Sequence, residues 1–405
     1  MAAALVIFGL TYLLIAARRF AVFPVGRPAG ALIGAAAMVA FGVLTPAQAY
    51  GAIDLRTLSL LFGMMVITGY LQAARFFPAL SRWILRRAKT PEALLGAVVW
   101  ISGLASAFLV NDTVCLMFTP VVVALSLALE VDALPFLIAL ATSSNIGSVA
   151  TLAGNPQNML IATASRIPYR EYFAVMAPLA IALLAVNHAF LLTFYKHELQ
   201  GGMKSRKGSG KSLVHRPLII KSLLTLAGVV AAWLAGADLA FTAVAGAAVL
   251  IAWGRREPRR VFEKLDWPLL LFFAGLFVVV SGLERSGAVG AITGLFPAAE
   301  GPLGAASFSL FSLLCSNLFS NVPFVLVAAK WVSSLPSPAL HWYLLALTST
   351  LAGNLTLVGS MANLIVASLA RGVRPVGFRE YLRYGVPITL ITTTLGVAYL
   401  LAVSP

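Results

Sequence analysis

The sequence predicts an all-α polytopic membrane protein made of two inverted repeats, with about ten transmembrane helices, two re-entrant helical hairpins and two discontinuous helices. Three observations predict it. Hydrophobic residues make up 60% of the 405 positions and charged residues 11%, with a mean hydropathy of +0.93, whereas a soluble globular chain carries roughly a quarter charged residues. The basic residues behind the net charge of +15 sit in short clusters between apolar stretches. Segments of the second half repeat segments of the first.

A span needs about 20 apolar residues. Residues 1–17 form the first. Their charges, Arg18 and Arg19, follow the apolar run, whereas a cleavable signal peptide carries them ahead of it, so this span is expected to be retained. Further spans are expected at 29–46, 55–75, 133–163, 172–195, 217–235, 239–254, 268–288, 338–370 and 384–403. The stretches 92–130 and 302–331 differ. Each is long enough for two short helices and breaks at polar residues, LVNDTV around Asn111 and CSNLFSNVP around Asn317 to Pro323. Hydropathy leaves two readings open for each, a pair of full spans or one re-entrant hairpin.

The loops at 18–28, 75–91, 196–216, 255–267 and 371–383, with their immediate flanks, hold 24 of the 29 Lys and Arg residues; Arg56, Arg166, Arg170, Arg285 and Lys330 lie elsewhere. Positive-inside bias places those loops in the cytoplasm. The expected location is a bacterial or archaeal inner membrane, crossed many times, with both termini outside. Dispersed basic clusters without a nucleic-acid-binding motif exclude DNA and RNA as partners.

The repeat is explicit. TSSNIGSVATLAGNPQNMLIA, Thr142 to Ala162, aligns with TSTLAGNLTLVGSMANLIVA, Thr348 to Ala367, with one residue deleted. REYFAVMAP from Arg170 matches REYLRYGVP from Arg379, and DLRTLSLLFG from Asp54 matches DWPLLLFFAG from Asp266. The first repeat is placed at 1–196, a basic cytoplasmic linker at 197–216 and the second repeat at 217–405. Each half holds an odd number of spans, so the second is inverted, the architecture of secondary transporters.

Ser143 to Asn158 and Ser349 to Asn363 are too polar and glycine-rich for lipid-exposed helix. Irregular backbone at membrane depth survives only where protein or a water-filled cavity satisfies it. Unwound segments offer helix N-termini to anions and freed carbonyls to cations. Asp112 is the one acidic residue expected well inside an apolar element, with Val322 in the equivalent place of the second half. A carboxylate there is a proton-coupling candidate, since it can exchange a proton as its surroundings change. No basic residue is expected at that depth. Cys115 and Cys315 are read as small buried hydrophobes, and with four histidines they make no metal-ligand spacing. KGSGKS, Lys207 to Ser212, lacks the first glycine and the preceding strand of a phosphate-binding loop. No catalytic constellation, metal or cofactor is expected, so the chain is not read as an enzyme.

LVNDTVCLMFTPVVVAL, SSNIGSVATLAGNPQNMLI, SNLFSNVPFVL and GNLTLVGSMANLIVA resemble the signatures of the ion transporter superfamily, in the branch of arsenite efflux permeases, the melanosomal P protein and bacterial anion transporters. The resemblance covers nearly the whole chain. It implies a scaffold and a transport domain, with the two stretches as re-entrant hairpins that meet the broken helices from opposite sides. It maps the substrate site onto Asn111 and Thr113, Ser144, Asn145, Thr151, Asn155 and Asn158, Asn317, Ser320 and Asn321, and Asn354, Thr356, Ser360 and Asn363, with Asp112 beside them. The function it implies is proton-coupled efflux of arsenite or antimonite. GNPQN is nearer the P-protein and sodium–proton antiporter branches, which keeps a sodium/proton antiporter as one alternative and Na+ as a second coupling ion. An inorganic or carboxylate anion transporter is another, and a channel is the reading from a different class. The expected partners are the small inorganic substrate, membrane lipid and a second copy of the chain in a homodimer.

Overall fold

A computed structural model describes residues 1–17, 26–200, 214–288 and 301–403, helices and loops with no strand among the described residues. The first half runs α1 (Ala2–Ala17), α2 (Arg27–Ala40), α3 (Pro46–Ala52), α4 (Leu55–Ala73), α5 (Phe76–Arg87), α6 (Pro91–Phe108), α7 (Asn111–Leu129), α8 (Leu134–Ser148), α9 (Pro156–Ser165), α10 (Tyr169–Phe194) and α11 (Lys196–Leu199). The second runs α12 (Arg216–Leu234), α13 (Leu239–Trp253), α14 (Pro258–Phe262), α15 (Trp267–Arg285), α16 (Gly301–Phe319), α17 (Asn321–Ala328), α18 (Pro338–Leu351), α19 (Met361–Ala370) and α20 (Phe378–Val403). Eight of these are long and apolar enough to cross a membrane. Helices occur at all ten places where spans were expected, α1, α2, α4, α8 with α9, α10, α12, α13, α15, α18 with α19, and α20; of these, α4, α10, α12, α15 and α20 are among the eight. Most of the linker, including KGSGKS, lies outside the described residues.

Two helix starts are capped by aspartates that the repeat relates. The repeat supplies the same cap twice. Asp54 accepts from the Arg56 and Thr57 N–H groups at 2.9 and 3.4 Å, and Asp266, its counterpart, accepts from Leu269 N–H at 3.1 Å.

The repeat also builds the same helix crossing twice. α4 packs along α13, and α2 along α15. A Cβ added at Gly63 would lie 2.6 Å from the Ala243 carbonyl carbon, and one added at Gly275 would lie 2.8 Å from that of Ala31. These two glycines are equivalent in the aligned segments, and each lets two backbones touch.

Contacts at both ends of each stretch favour the hairpin reading. At the tip of the first hairpin, Asn111 N–H donates to Gly154 O at 3.0 Å, inside the break between α8 and α9. At its far end Asp132 pairs with Arg374, 3.0 Å away, in the basic loop before α20. The chain therefore enters from the 75–91 loop, turns at residues 109–110 and returns. In the second half the tip residue Asn317 donates to Ala352 O at 2.9 Å, while Lys330 pairs with Glu284 at the end of α15.

The 75–91 segment, expected as a loop, contains α5. Arg75 turns the chain out of α4 in left-handed backbone, φ 60°. The helix then buries Phe77 and Ile84 and exposes Trp83, Arg86 and Arg87, with the Arg87 guanidinium 5.2 Å from the Trp83 ring centre. Such a helix suits a membrane surface.

Candidate functional site

The two breaks, residues 149–155 and 355–360, free backbone carbonyls that lipid cannot satisfy. Each half closes its own break with an asparagine. Asn158 Nδ2 donates to Ser148 O and Thr151 O at 3.1 and 3.0 Å; Asn363 Nδ2 donates to Gly353 O and Thr356 O at 2.6 and 3.1 Å. A tyrosine stands behind each. Tyr172 accepts from Asn158 Nδ2 at 3.2 Å and donates to Val149 O at 3.1 Å, and Tyr381, in the matching REY, faces Asn363. The helices resume under caps, Asn155 Oδ1 on Asn158 N–H at 2.8 Å and Ser360 Oγ on Ala362 N–H at 3.2 Å.

These commitments orient the amides that join the halves. With its Nδ2 spent on carbonyls, Asn363 turns Oδ1 toward Asn145 Nδ2, 3.2 Å away. Asn145 Nδ2 also donates to Asn354 Oδ1 at 2.8 Å. Asn145 Oδ1 then faces the other way and accepts from Asn111 Nδ2 at 3.0 Å and Ser360 Oγ at 3.2 Å. Asn145 thus uses its two donor and two acceptor positions, linking the first hairpin tip and both broken helices. At the end of this relay Asn111 Oδ1 has no hydrogen-bond partner among the described residues, and neither has Asn321 Oδ1 on the other hairpin tip.

Both asparagines line a cavity of about 330 Å³. Its wall is made of helix starts: Arg27 and Pro28 of α2, Asn111 and Asp112 of α7, Pro156 and Gln157 of α9, Asp266 to Leu269 around the start of α15, Ser320 to Val322 of α17, and Gly359 to Met361 of α19. Six N-termini concentrate N–H donors and positive partial charge on one space. Asp112 is faced there by Arg27, by Asp266 and by the Ala362 N–H. The arrangement offers N–H donors, the Asn111, Gln157 and Asn321 amides, the Asp112 and Asp266 carboxylates and the Arg27 guanidinium to a small oxygen-rich solute.

Of the residues expected at the site, Asn111, Asp112, Ser320, Asn321 and Ser360 line this cavity, and so does Val322, the repeat equivalent of Asp112. Asn145 lies one hydrogen bond behind it, and Asn354 and Asn363 lie two. The others are bonded into the framework. Thr151 donates to Ala107 O, and Asn155 donates to Ser148 Oγ and Thr350 Oγ1 at 2.8 and 3.1 Å. Asn158 closes its break, and Asn317 accepts from Thr356 at 3.3 Å. Ser144 donates to Ala141 O and lies 3.0 Å from the buried Cys115 sulfur. Thr113 is half-buried and is not among the lining residues.

The expectation that no basic residue reaches the site is corrected. Arg27, assigned to a loop by its neighbours Arg18 and Arg19, opens α2 and lines the cavity. Asp266 and Gln157 were also missed, although the match of Asp266 to Asp54 was a signal. Asn187 was missed too: fully buried on α10, it donates to Thr142 and Ser143 hydroxyls at 3.2 and 2.9 Å and accepts from Tyr384 at 2.8 Å. A lone amide in an apolar span was the signal there.

Paired hairpins and broken helices around a buried polar cavity define a polytopic membrane transporter. The chain belongs to the citrate transporter family, whose model, CitMHS, matches residues 12–352. It is 34% identical to the silicon efflux transporter LSI3 of Oryza sativa subsp. japonica, over 97% of this chain and 96% of that one. It is 30% identical to an "Uncharacterized transporter" of Mycobacterium tuberculosis, over 98% and 97% of the two chains. In fold it resembles the YdaH transporter of Alcanivorax borkumensis, with a TM-score of 0.59 at 14% identity over 99% of this chain and 98% of that one.

Proposed function

We propose that this transporter exports arsenite or antimonite in exchange for protons, with Asp112 carrying the proton. The observation that supports it is the pair of asparagines that line the cavity with Asp112, Asn111 at the end of the amide relay and Asn321 on the other hairpin tip, whose Oδ1 atoms have no hydrogen-bond partner among the described residues. Unpaired buried acceptors favour a ligand that brings O–H groups. Arsenous acid is mostly undissociated near neutral pH and has three. Silicic acid, the hydroxide of the element in the LSI3 name, has the same character. On this reading the basic loops are cytoplasmic, both termini are outside, and the cavity opens toward the cytoplasm of a bacterial or archaeal inner membrane.

Arg27 favours a second reading, transport of an inorganic or carboxylate anion, which also agrees with the family's description. Proteoliposomes loaded with radiolabelled arsenite under an imposed pH gradient separate these. Proton-driven arsenite flux, unaffected by citrate or phosphate, is expected. Flux of citrate or phosphate in its place would establish the anion reading. A sodium-dependent pH change without arsenite movement would establish a sodium/proton antiporter.

A further inference from the structure

A second cavity of about 590 Å³ lies toward the end of the molecule away from the basic loops, lined in part by Asp54, Leu160, Thr163, Phe277, Ser281 and Leu326. Its wall continues three helices that line the first cavity. The lining passes from Gln157 to Leu160 on α9, from Phe272 to Phe277 on α15 and from Val322 to Leu326 on α17. At 1.5 Å per residue these steps span about 4.5 to 7.5 Å, roughly one helical turn. The residues between them on α15 and α17 are apolar, and Leu276 and Val325 are fully buried. The cavities also share a repeat-related feature, since Asp266 borders the first and Asp54 the second. At the rim of the second, Lys330 and Glu284 form a 2.7 Å ion pair, both half-exposed, joining the far ends of the same two helices that flank the apolar layer.

We infer that the second cavity is the opposite vestibule of one translocation pathway, that the apolar layer between α15 and α17 is its barrier, and that the Glu284–Lys330 pair is the latch across its mouth. The inference rests on the transporter class and is independent of which solute is carried. A barrier one turn thick opens by a small slide of α17 along α15. The hydroxyls of Thr163 and Ser281 and the Asp54 carboxylate then offer the departing solute replacement hydrogen bonds within a few ångströms.

The test uses single-cysteine variants in a chain with Cys115 and Cys315 replaced by alanine. Thr163→Cys and Ser281→Cys sample the vestibule, and Leu271→Cys samples the lipid-facing side of α15, where Leu271 is exposed. A charged, membrane-impermeant thiol reagent added from the face opposite the basic loops should label the first two at least tenfold faster than the third. Equal rates, labelling from the basic face only, or labelling by lipid-soluble maleimide alone would overturn the assignment. Independently, Phe277→Ala with Leu326→Ala in the chain with native cysteines should raise passive proton leak in proteoliposomes at least tenfold. A leak equal to the parent's in a protein of parental thermal stability would remove the barrier from the proposal.

Discussion

Replacing Asn145 by leucine, the residue its counterpart Leu351 already carries, tests whether the amide relay holds the two halves together. The substitution nearly conserves volume and deletes four hydrogen bonds. Asn111 and Ser360 border the cavity, where water can replace what they lose. Asn354 Oδ1 and Asn363 Oδ1 belong to fully buried side chains and are left without Asn145. Two enclosed acceptors without partners cost roughly 1–3 kcal/mol each, or about 2–6 kcal/mol together. Counting instead four interhelical bonds at the membrane average of about 0.6 kcal/mol gives about 2.4 kcal/mol, the lower end of the same range. Asn111→Ala is the contrast, because it removes one of these bonds at the water-accessible end and should cost about 1 kcal/mol. Denaturant unfolding in mixed micelles, followed by tryptophan fluorescence, measures both. Transport should fall in both variants, while only Asn145→Leu should unfold early. Asn145→Leu within about 1 kcal/mol of the parent, or an equal loss in the two variants, would refute the relay as a structural joint.

Three further outcomes follow from the geometry. Asp112→Asn should abolish uphill export while leaving downhill exchange of the solute, measured in the same proteoliposomes with and without a pH gradient; retained uphill transport with the parental pH dependence would remove the coupling role. Gly63→Ala and Gly275→Ala should each cost about 1–3 kcal/mol in thermal or denaturant unfolding, because the new methyl group meets backbone and must spread the crossing. Arg374→Gln breaks the ion pairs to Asp132 and Glu380, yet all three side chains are about a third exposed, so stability should fall by no more than about 1 kcal/mol.

Hydropathy located the spans to within a few residues, because length and apolarity are what a bilayer demands. It could not decide the hairpins, since α6, α7 and α16 are each long enough to cross. The decision needed Asp132 beside Arg374 and Asn111 beside Gly154, contacts between residues far apart in the chain. The repeat located the breaks and both closing asparagines. It could not separate residues that face the cavity from those that hold it, because Asn111 and Asn158 look alike in sequence and differ only in what surrounds them. Arg27 was misplaced for the opposite reason. Its basic neighbours suggested water, while the start of α2 carries it inward.

The four bonds of Asn145 also restrict how the molecule can move. The relay reaches α7, α8, the turn Ala352–Asn354 and α19. A displacement of one broken helix past the other by even a single residue would sever the three bonds from Asn145 to Asn354, Asn363 and Ser360. A change of access that keeps these bonds would carry both broken helices and the first hairpin tip together. The same asparagine that completes the site is then the pin that decides which parts of the protein travel together.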